Sequence, residues 1–133
     1  MQEATILNNY HIIAMVGLSP DPNRPSHRVA KYLINHGYKV IPVNPDTQEI
    51  LGIRSYFAMS SIPEPIEIVD IFRRSEEVMP IVDEAIKIGA KVVWMQEGVI
   101  NEEALARAKE AGLKVVMDKC MRKEHLRMMR EER

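Results

Sequence analysis

The order of apolar runs and helical stripes limits this chain more than any other feature of its sequence. Five short runs, rich in β-branched residues, are typical of strands buried inside a parallel sheet. They lie at residues 11–16, 39–43, 66–71, 91–95 and 114–117. Amphipathic helical stripes follow most of these runs and end at Gly37, Gly89 and Gly112. This repetition predicts right-handed crossovers, and therefore an α/β fold with a five-stranded parallel sheet and helices on both faces.

The strand order that we expect is 3-2-1-4-5, which is an economical arrangement for five such strands. Pro42 lies inside the second run, and because proline cannot donate a ladder hydrogen bond, we expect a bulge or the strand's end there. Residues 44–65 have weak periodicity, which predicts a long connection with at most one irregular helix. We expect Ser26 and Asn101 to cap the N-termini of two of the helices.

The chain's length and charge exclude several classes of protein. Its 133 residues correspond to one domain, residues 1–133, which is large enough to bury a core without a metal or disulfide. Lys and Arg number 18 against 19 Asp and Glu, giving a formal net charge of −1. Because duplex nucleic acid requires a basic surface, we expect no nucleic-acid partner.

The cysteine count and the N-terminus indicate a reduced, cytoplasmic location. Cys120 is the only cysteine, which excludes an internal disulfide and the cysteine-rich zinc sites. Residues 10–18 are the longest uncharged apolar stretch and are too short to span a membrane. A signal peptide begins with basic residues, whereas this sequence has no Lys or Arg before Arg24. The four histidines lack metal-ligand spacing, and no catalytic triad is visible, so we predict neither a metal site nor catalytic residues.

The loop after the first strand is a candidate phosphate-binding loop. Sheets of this type bind ligands outside the carboxyl ends of their strands. Here Gly17, Ser19, Arg24 and Ser26 lie between a strand and a helix N-terminus, whose free N–H groups attract anions. The three-glycine dinucleotide fingerprint is absent. A proline-stiffened turn with a helix cap is the alternative interpretation, although ten residues is long for such a turn.

Residues after the other strands suit a nucleotide as well. Asn44 stands where many NAD-binding domains place an acidic residue, and it tolerates a nearby phosphate; a simple Asn-Pro turn is the alternative. Phe72, followed by Arg73 and Arg74, suits stacking on a base and pairing with a phosphate; the alternative is a solvated arginine pair with Phe72 in the core. Gln96 and Gly98 follow the fourth strand, where the glycine permits close approach of backbone to a ligand.

Taken together, these motifs resemble the small stand-alone CoA-binding domain family, which is similar to the CoA-binding domain of the succinyl-CoA synthetase alpha subunit. The resemblance extends over residues 10–128. It rests on the sequences GLS at 17–19, RPS at 24–26, VNP at 43–45, DIFRR at 70–74, WMQEG at 94–98 and DKCM at 118–121.

The resemblance implies a Rossmann-like fold that binds coenzyme A at the carboxyl ends of the strands. It assigns CoA contacts to four groups of residues. The first forms the phosphate loop, the second lines the end of the second strand, the third borders the nucleotide, and the fourth lies towards the pantetheine arm. The residues concerned are Gly17, Ser19, Arg24, Pro25 and Ser26, then Val43, Asn44 and Pro45, then Phe72 and Arg73, then Gln96 and Gly98.

The function expected from this resemblance is a cytoplasmic CoA or acyl-CoA binding protein, non-catalytic or regulatory, with a homodimer left open. One alternative is a CoA-binding component of an acyl-CoA ligase completed by other chains. The synthetase subunit continues into a domain with a phosphorylated histidine, whereas this sequence ends at Arg133, which argues against ligase activity. Another is an NAD(P)-binding redox module. Cys120, beside Lys119 at a strand end, suggests a mixed disulfide with the CoA thiol; a packing role is its alternative.

Overall fold

The five predicted runs form one parallel sheet in the computed structural model, which describes residues 2–131. The strands are β1 (Ile12–Val16), β2 (Lys39–Val43), β3 (Glu49–Ile50), β4 (Ile53–Arg54), β5 (Ile68–Ile71), β6 (Val92–Met95) and β7 (Lys114–Val116). The helices are α1 (Gln2–Asn9), α2 (Pro25–Asn35), α3 (Val78–Lys87), α4 (Glu102–Glu110) and α5 (Met121–Glu131). The predicted α/β fold with a doubly wound, Rossmann-like sheet is therefore confirmed.

The expected strand order is wrong. The sheet runs β2-β1-β5-β6-β7, which is 2-1-3-4-5 in terms of the five predicted runs. Strand β2 is thus an edge strand of this sheet: its strand partner is β1, and its other side carries an isolated bridge to Tyr56. Pro42 explains the difference, because a central strand would need the ladder donor that proline lacks, whereas an edge strand tolerates it. The strand neither bulges nor ends at Pro42, which pairs in register with Met15.

Two apolar clusters cover the two faces of the sheet. Helices α1, α2 and α5 pack on one face through a cluster that includes Leu33, Trp94 and Met121. Helices α3 and α4 pack on the other face, through a cluster that includes Val82 and Ala104. Successive strand residues point to opposite faces, so β5 and β6 each supply both clusters and are buried along their whole length.

Of the two predicted helix caps, one is confirmed and the other is wrong. Asn101 caps α4 as expected, since its Oδ1 accepts a hydrogen bond from the Ala104 N–H at 3.0 Å. Ser26 is not the cap of α2. The helix begins at Pro25, because proline's fixed φ suits the first helical position. Its N-cap is therefore Arg24, two residues before the predicted cap.

Residues 44–67 form the expected long connection, but with a different content. They contain the antiparallel hairpin β3–β4 and one 3-10 turn at Met59–Ser61, in place of an irregular helix. Leu51 and Gly52 both have positive φ values, 54° and 74°, as a tight two-residue hairpin turn requires. Tyr56 then returns to β2, where its N–H donates to the Pro42 carbonyl at 3.0 Å.

Candidate functional site

The observed strand order places the switch point of the sheet between β1 and β5. Gly17 follows β1 there with a φ of +89°. A Cβ on Gly17 would lie 2.2 Å from the Phe72 carbonyl oxygen and 2.9 Å from the Arg73 Cδ. Only glycine therefore lets the backbone after β5 cross so close to the first loop. This crevice is where ligands bind in sheets of this type.

The first loop is held in shape by its own polar groups. Ser26 Oγ accepts from the Ser19 N–H at 3.0 Å, and Ser19 Oγ accepts from the Asp21 N–H at 3.1 Å. Asp21 Oδ1 accepts from the Asn23 N–H at 2.9 Å, and Arg28 donates to the Asn23 carbonyl at 2.8 Å. The buried Ser26 thus fastens the loop to the helix rather than capping the helix.

Asn44 joins this loop to the end of β2. Its Nδ2 donates to the Leu18 carbonyl at 3.0 Å, and its Oδ1 accepts from the Asp46 N–H at 2.8 Å. The side-chain amide is therefore used by the protein itself at both ends. Its role in the site is to fix two loops relative to each other.

A cavity of about 540 Å³ opens over these loops. It brings together most of the residues that the sequence predicted for the site, namely Gly17, Ser19, Arg24, Asn44, Pro45, Phe72 and Arg73. It also holds Arg74, the second arginine of the predicted pair, and two acidic residues that sequence reasoning missed, Asp46 and Glu77. The three arginines outnumber the two carboxylates, so the cavity favours an anion while keeping an acidic side.

The remaining predicted residues lie around this cavity. Pro25, Ser26 and Gln96 line an adjoining cavity of about 210 Å³. Val43 is buried and lines a third cavity, of about 480 Å³, on the β2 side. Gly98 lines none of these three cavities: it is exposed, and its N–H donates to Asp118 Oδ1 at 2.8 Å.

The arginines of the site differ in their partners. Among residues 2–131, Arg24 has no ion-pair partner and its side chain is free to meet a ligand. Arg73 is held by Glu77, with 2.8 Å between Nη2 and Oε2. The hydrogen bond from Arg73 lowers the pKa of Glu77 to about 2, and the same bond, together with the nearby charge of Asp46, raises the pKa of Arg73.

Phe57 is the aromatic residue of the site region that the sequence analysis missed. It is 77% exposed and lines the 480 Å³ cavity as well as a groove formed with residues 44–49, 54 and 55. Phe72, the expected stacking residue, is half-buried against the core. Residues 44–65 lack periodicity, and Gly52 was the available sign that a hairpin would bring Phe57 to this edge.

Cys120 is placed away from these cavities. The thiol is half-buried against the cluster beneath α5 and lines none of the cavities described above. Within the part of the chain that the structure covers, no cluster of three or more His, Cys, Asp or Glu side chains could hold a metal ion. No helix there combines the length and apolar character needed to cross a membrane.

Comparisons with known proteins agree with this geometry. The uncharacterized protein YneT of Bacillus subtilis (strain 168) is 43% identical over 120 residues, which cover 90% of this chain and 89% of YneT. A hypothetical protein from Pyrococcus horikoshii OT3 has a similar structure, with a TM-score of 0.94, 47% identity, and coverage of 96% of this chain and 90% of that one.

A longer enzyme is also related. The chain is 27% identical over 120 residues to an acetate–CoA ligase (ADP-forming) I of Archaeoglobus fulgidus, which covers 83% of this chain but only 18% of the ligase. The family model described as the CoA binding domain matches residues 11–126. With the switch-point cavity and these relatives in agreement, the chain belongs to the CoA-binding domain family, which is related to the CoA-binding part of acyl-CoA ligases.

Proposed function

We propose that this protein binds coenzyme A or acyl-CoA as a single, non-catalytic or regulatory domain in the cytoplasm. The observation that carries the proposal is the cavity at the switch point, where Arg24, Arg73 and Arg74 surround a preformed loop at the N-terminus of α2. CoA carries a pyrophosphate and a 3′-phosphate, and such anions bind at helix N-termini and pair with arginine.

The proposal assigns the pyrophosphate to the first loop, with Gly17, Ser19, Arg24, Pro25 and Ser26. The nucleotide then lies towards Val43, Asn44, Pro45, Phe72 and Arg73, and the pantetheine arm passes Gln96 and Gly98. The hydrogen bonds from the Ser19 N–H to Ser26 Oγ and from Asn44 Nδ2 to the Leu18 carbonyl support it, because a loop that is already ordered loses little entropy on binding.

Asp46 makes an NAD-binding site the alternative to test. The absence of an acidic residue at Asn44 argues against a ribose-binding carboxylate, but Asp46 brings one into the same cavity two residues later. A carboxylate there favours free ribose hydroxyls and repels a phosphate. The 3′-phosphate of CoA must therefore lie nearer to the arginines than to Asp46.

The test is calorimetric titration of the purified protein with CoA, NAD and ADP. We expect CoA to bind more tightly than either of the other two, because neither has both the 3′-phosphate and the pantetheine arm. NAD binding as tightly as CoA would refute the proposal. Native mass spectrometry of the protein as purified provides an independent reading, as a retained CoA or acyl-CoA mass.

A CoA-binding component of a multi-chain ligase is a second candidate, favoured by the relation to the acetate–CoA ligase. The chain spans 18% of that enzyme and has no Walker-type phosphate loop. We therefore expect no acyl-CoA synthesis from ATP, a carboxylic acid and CoA by the purified chain alone. Recovery of a second, histidine-bearing chain in a pull-down, with activity restored on mixing, would favour the ligase.

A further inference from the structure

Arg73 is held at two points over the start of the phosphate loop. Its Cδ lies 2.9 Å from the place where a Cβ on Gly17 would stand, so the side chain passes directly over that glycine. Its guanidinium then meets the Glu77 carboxylate, with Nη2 donating to Oε2 at 2.8 Å and Nε to Oε1 at 3.4 Å. Both side chains are partly exposed and line the same cavity.

The contact with Glu77 uses one edge of the guanidinium. An arginine has five N–H donors in a fixed planar fork, and here Nε and one N–H of Nη2 are directed at Glu77. Both N–H groups of Nη1 and the second N–H of Nη2 remain for another acceptor. A phosphate that meets this second edge can therefore bind Arg73 without displacing the carboxylate.

Glu77 is itself fixed by the backbone. Its Oε1 accepts from the Arg74 N–H at 3.3 Å, within the 3-10 turn Ser75–Glu77 that follows β5. Arg74 Nε also approaches the same oxygen, at 3.4 Å. The carboxylate is thus held in place by a local turn, and Arg73, which meets it through two guanidinium nitrogens, takes its direction from it.

Resting on the proposed CoA site, we propose that Glu77 is a positioning residue that holds Arg73 across the phosphate loop with one guanidinium edge open to the ligand's phosphate. The carboxylate stays ionised throughout the neutral range, because the hydrogen bond from Arg73 lowers the pKa of Glu77 to about 2. A side chain already held in its binding rotamer avoids an ordering cost when the ligand arrives.

Glu77 could instead compete with the phosphate for Arg73, and this role predicts a change in CoA affinity of the opposite sign. If Glu77 competed, its neutralisation would free Arg73 and tighten binding. If it positions Arg73, its neutralisation weakens binding. The sign of one affinity change therefore separates the two roles.

The experiment is a double-mutant cycle on CoA affinity, measured by calorimetry with the full chain. We expect Glu77→Gln to weaken CoA binding roughly threefold to tenfold, the effect of leaving one long side chain to be ordered by the ligand. Glutamine can still accept from the Arg74 N–H, so the turn is kept. In an Arg73→Ala background, Glu77→Gln should change the affinity by less than about twofold, because its effect passes through Arg73.

Glu76→Gln is the matched control. Glu76 is the neighbouring acid, and its Oε1 lies 3.5 Å from Arg74 Nε. Glu76→Gln therefore removes the same charge as Glu77→Gln without removing a contact to Arg73. We expect its CoA affinity to stay within about twofold of the wild type. Tighter or unchanged binding by Glu77→Gln, or an equal loss in both backgrounds, would overturn the positioning role while leaving CoA binding intact. Absence of CoA binding by the wild type would instead overturn the proposed function and this role together.

Discussion

The two halves of the sheet's carboxyl edge use their polar side chains in opposite ways. At the ends of β2, β1 and β5, which we call the open half, Arg24 and Arg73 face a cavity of about 540 Å³. At the ends of β6 and β7, the closed half, polar groups bond to one another and to the start of α5. Gln96 Oε1, for example, accepts from the Met121 N–H at 3.1 Å.

The closed half leaves few of its polar groups free. Lys123 pairs with Glu97 at 2.9 Å, and Asp118 accepts from the Gly98 N–H. In the open half, the internal hydrogen bonds shape the loops and the arginines remain directed at the cavity. A polar residue at a strand end is therefore weak evidence for a ligand unless the strand borders the switch point.

The largest expected effect is the difference in stability loss between Gly17→Ala in the open half and Gly98→Ala in the closed half. Gly17→Ala should destabilise the protein by about 2–4 kcal/mol and abolish CoA binding, because its Cβ would meet the Phe72 carbonyl at 2.2 Å in a left-handed backbone. Gly98→Ala has a similar φ of +88° but nothing within 4 Å of its Cβ. It should cost only about 1–2 kcal/mol, for the backbone conformation alone. Urea unfolding of both variants measures this, and equal losses would contradict the close crossing.

A buried carboxyl beneath the open half should make stability depend on pH. Asp70, in β5, is fully buried, neither of its oxygens has a hydrogen-bond partner among the described residues, and burial raises its pKa well above the ordinary value of 3.8. Its register partner Trp94, in the closed half, has its indole N–H bonded to the Lys119 carbonyl at 2.8 Å. Burial therefore favours the protonated form of this carboxyl over the carboxylate in the folded protein.

The sign of this dependence follows from the raised pKa. Below about pH 4 Asp70 is neutral in both states; above it the unfolded chain ionises while the folded protein does not, so stability falls as pH rises towards the folded pKa. The slope approaches about 1.4 kcal/mol per pH unit for one proton. We expect Asp70→Asn to remove this dependence, so that the variant gains stability relative to the wild type as the pH rises above about 4. Parallel pH profiles of unfolding free energy would show that Asp70 is ionised in the fold.

Substitution of basic residues in the two halves should affect CoA affinity differently. Arg24→Ala and Arg73→Ala should each weaken CoA binding by about 1–3 kcal/mol, the loss of a charge-assisted hydrogen bond to a phosphate. Their melting temperatures without ligand should change little, since both side chains lie at the surface. Lys123→Ala, in the closed half, removes the same charge and should leave the affinity unchanged. If the lysine variant loses as much affinity as the arginine variants, the site has been assigned to the wrong half.

The smallest effect is expected at Cys120. Because the thiol is half-buried against the core and lines none of the cavities described, the structure favours its packing role over a mixed disulfide with CoA. Intact-protein mass spectrometry after incubation with CoA disulfide should therefore show no adduct. An adduct that dithiothreitol removes and Cys120→Ser abolishes would restore the disulfide hypothesis.

The strands and most of the site could be predicted because both depend on local sequence. The apolar runs fixed the five strands of the main sheet to within two residues at each end, and the loops that follow them held Gly17, Arg24 and Arg73. The strand order could not be read in the same way, since it depends on which strands pair across the long connection. Pro42 carried that information, as a proline that only an edge strand tolerates.

The missed site residues have a common physical cause. Asp46, Phe57 and Glu77 enter the site through a turn, a hairpin and a 3-10 turn, none of which has a hydrophobic period. Gln96 also follows a strand and lines the adjoining cavity, but its side-chain oxygen already accepts from the backbone of α5, which the sequence did not show. Only the three-dimensional arrangement distinguishes a polar group that is free from one that is already used.

The most direct test of the central claim is a titration of the ¹⁵N-labelled protein with CoA, followed by backbone amide chemical shifts. We expect the largest shifts at residues 17–28, 44–47 and 72–77, which surround the cavity of the open half. Residues 118–124, in the closed half and away from the proposed path of the pantetheine arm, should move much less. Saturable shifts concentrated at those closed-half residues, with the first loop unaffected, would contradict the assignment of the ligand to the switch point.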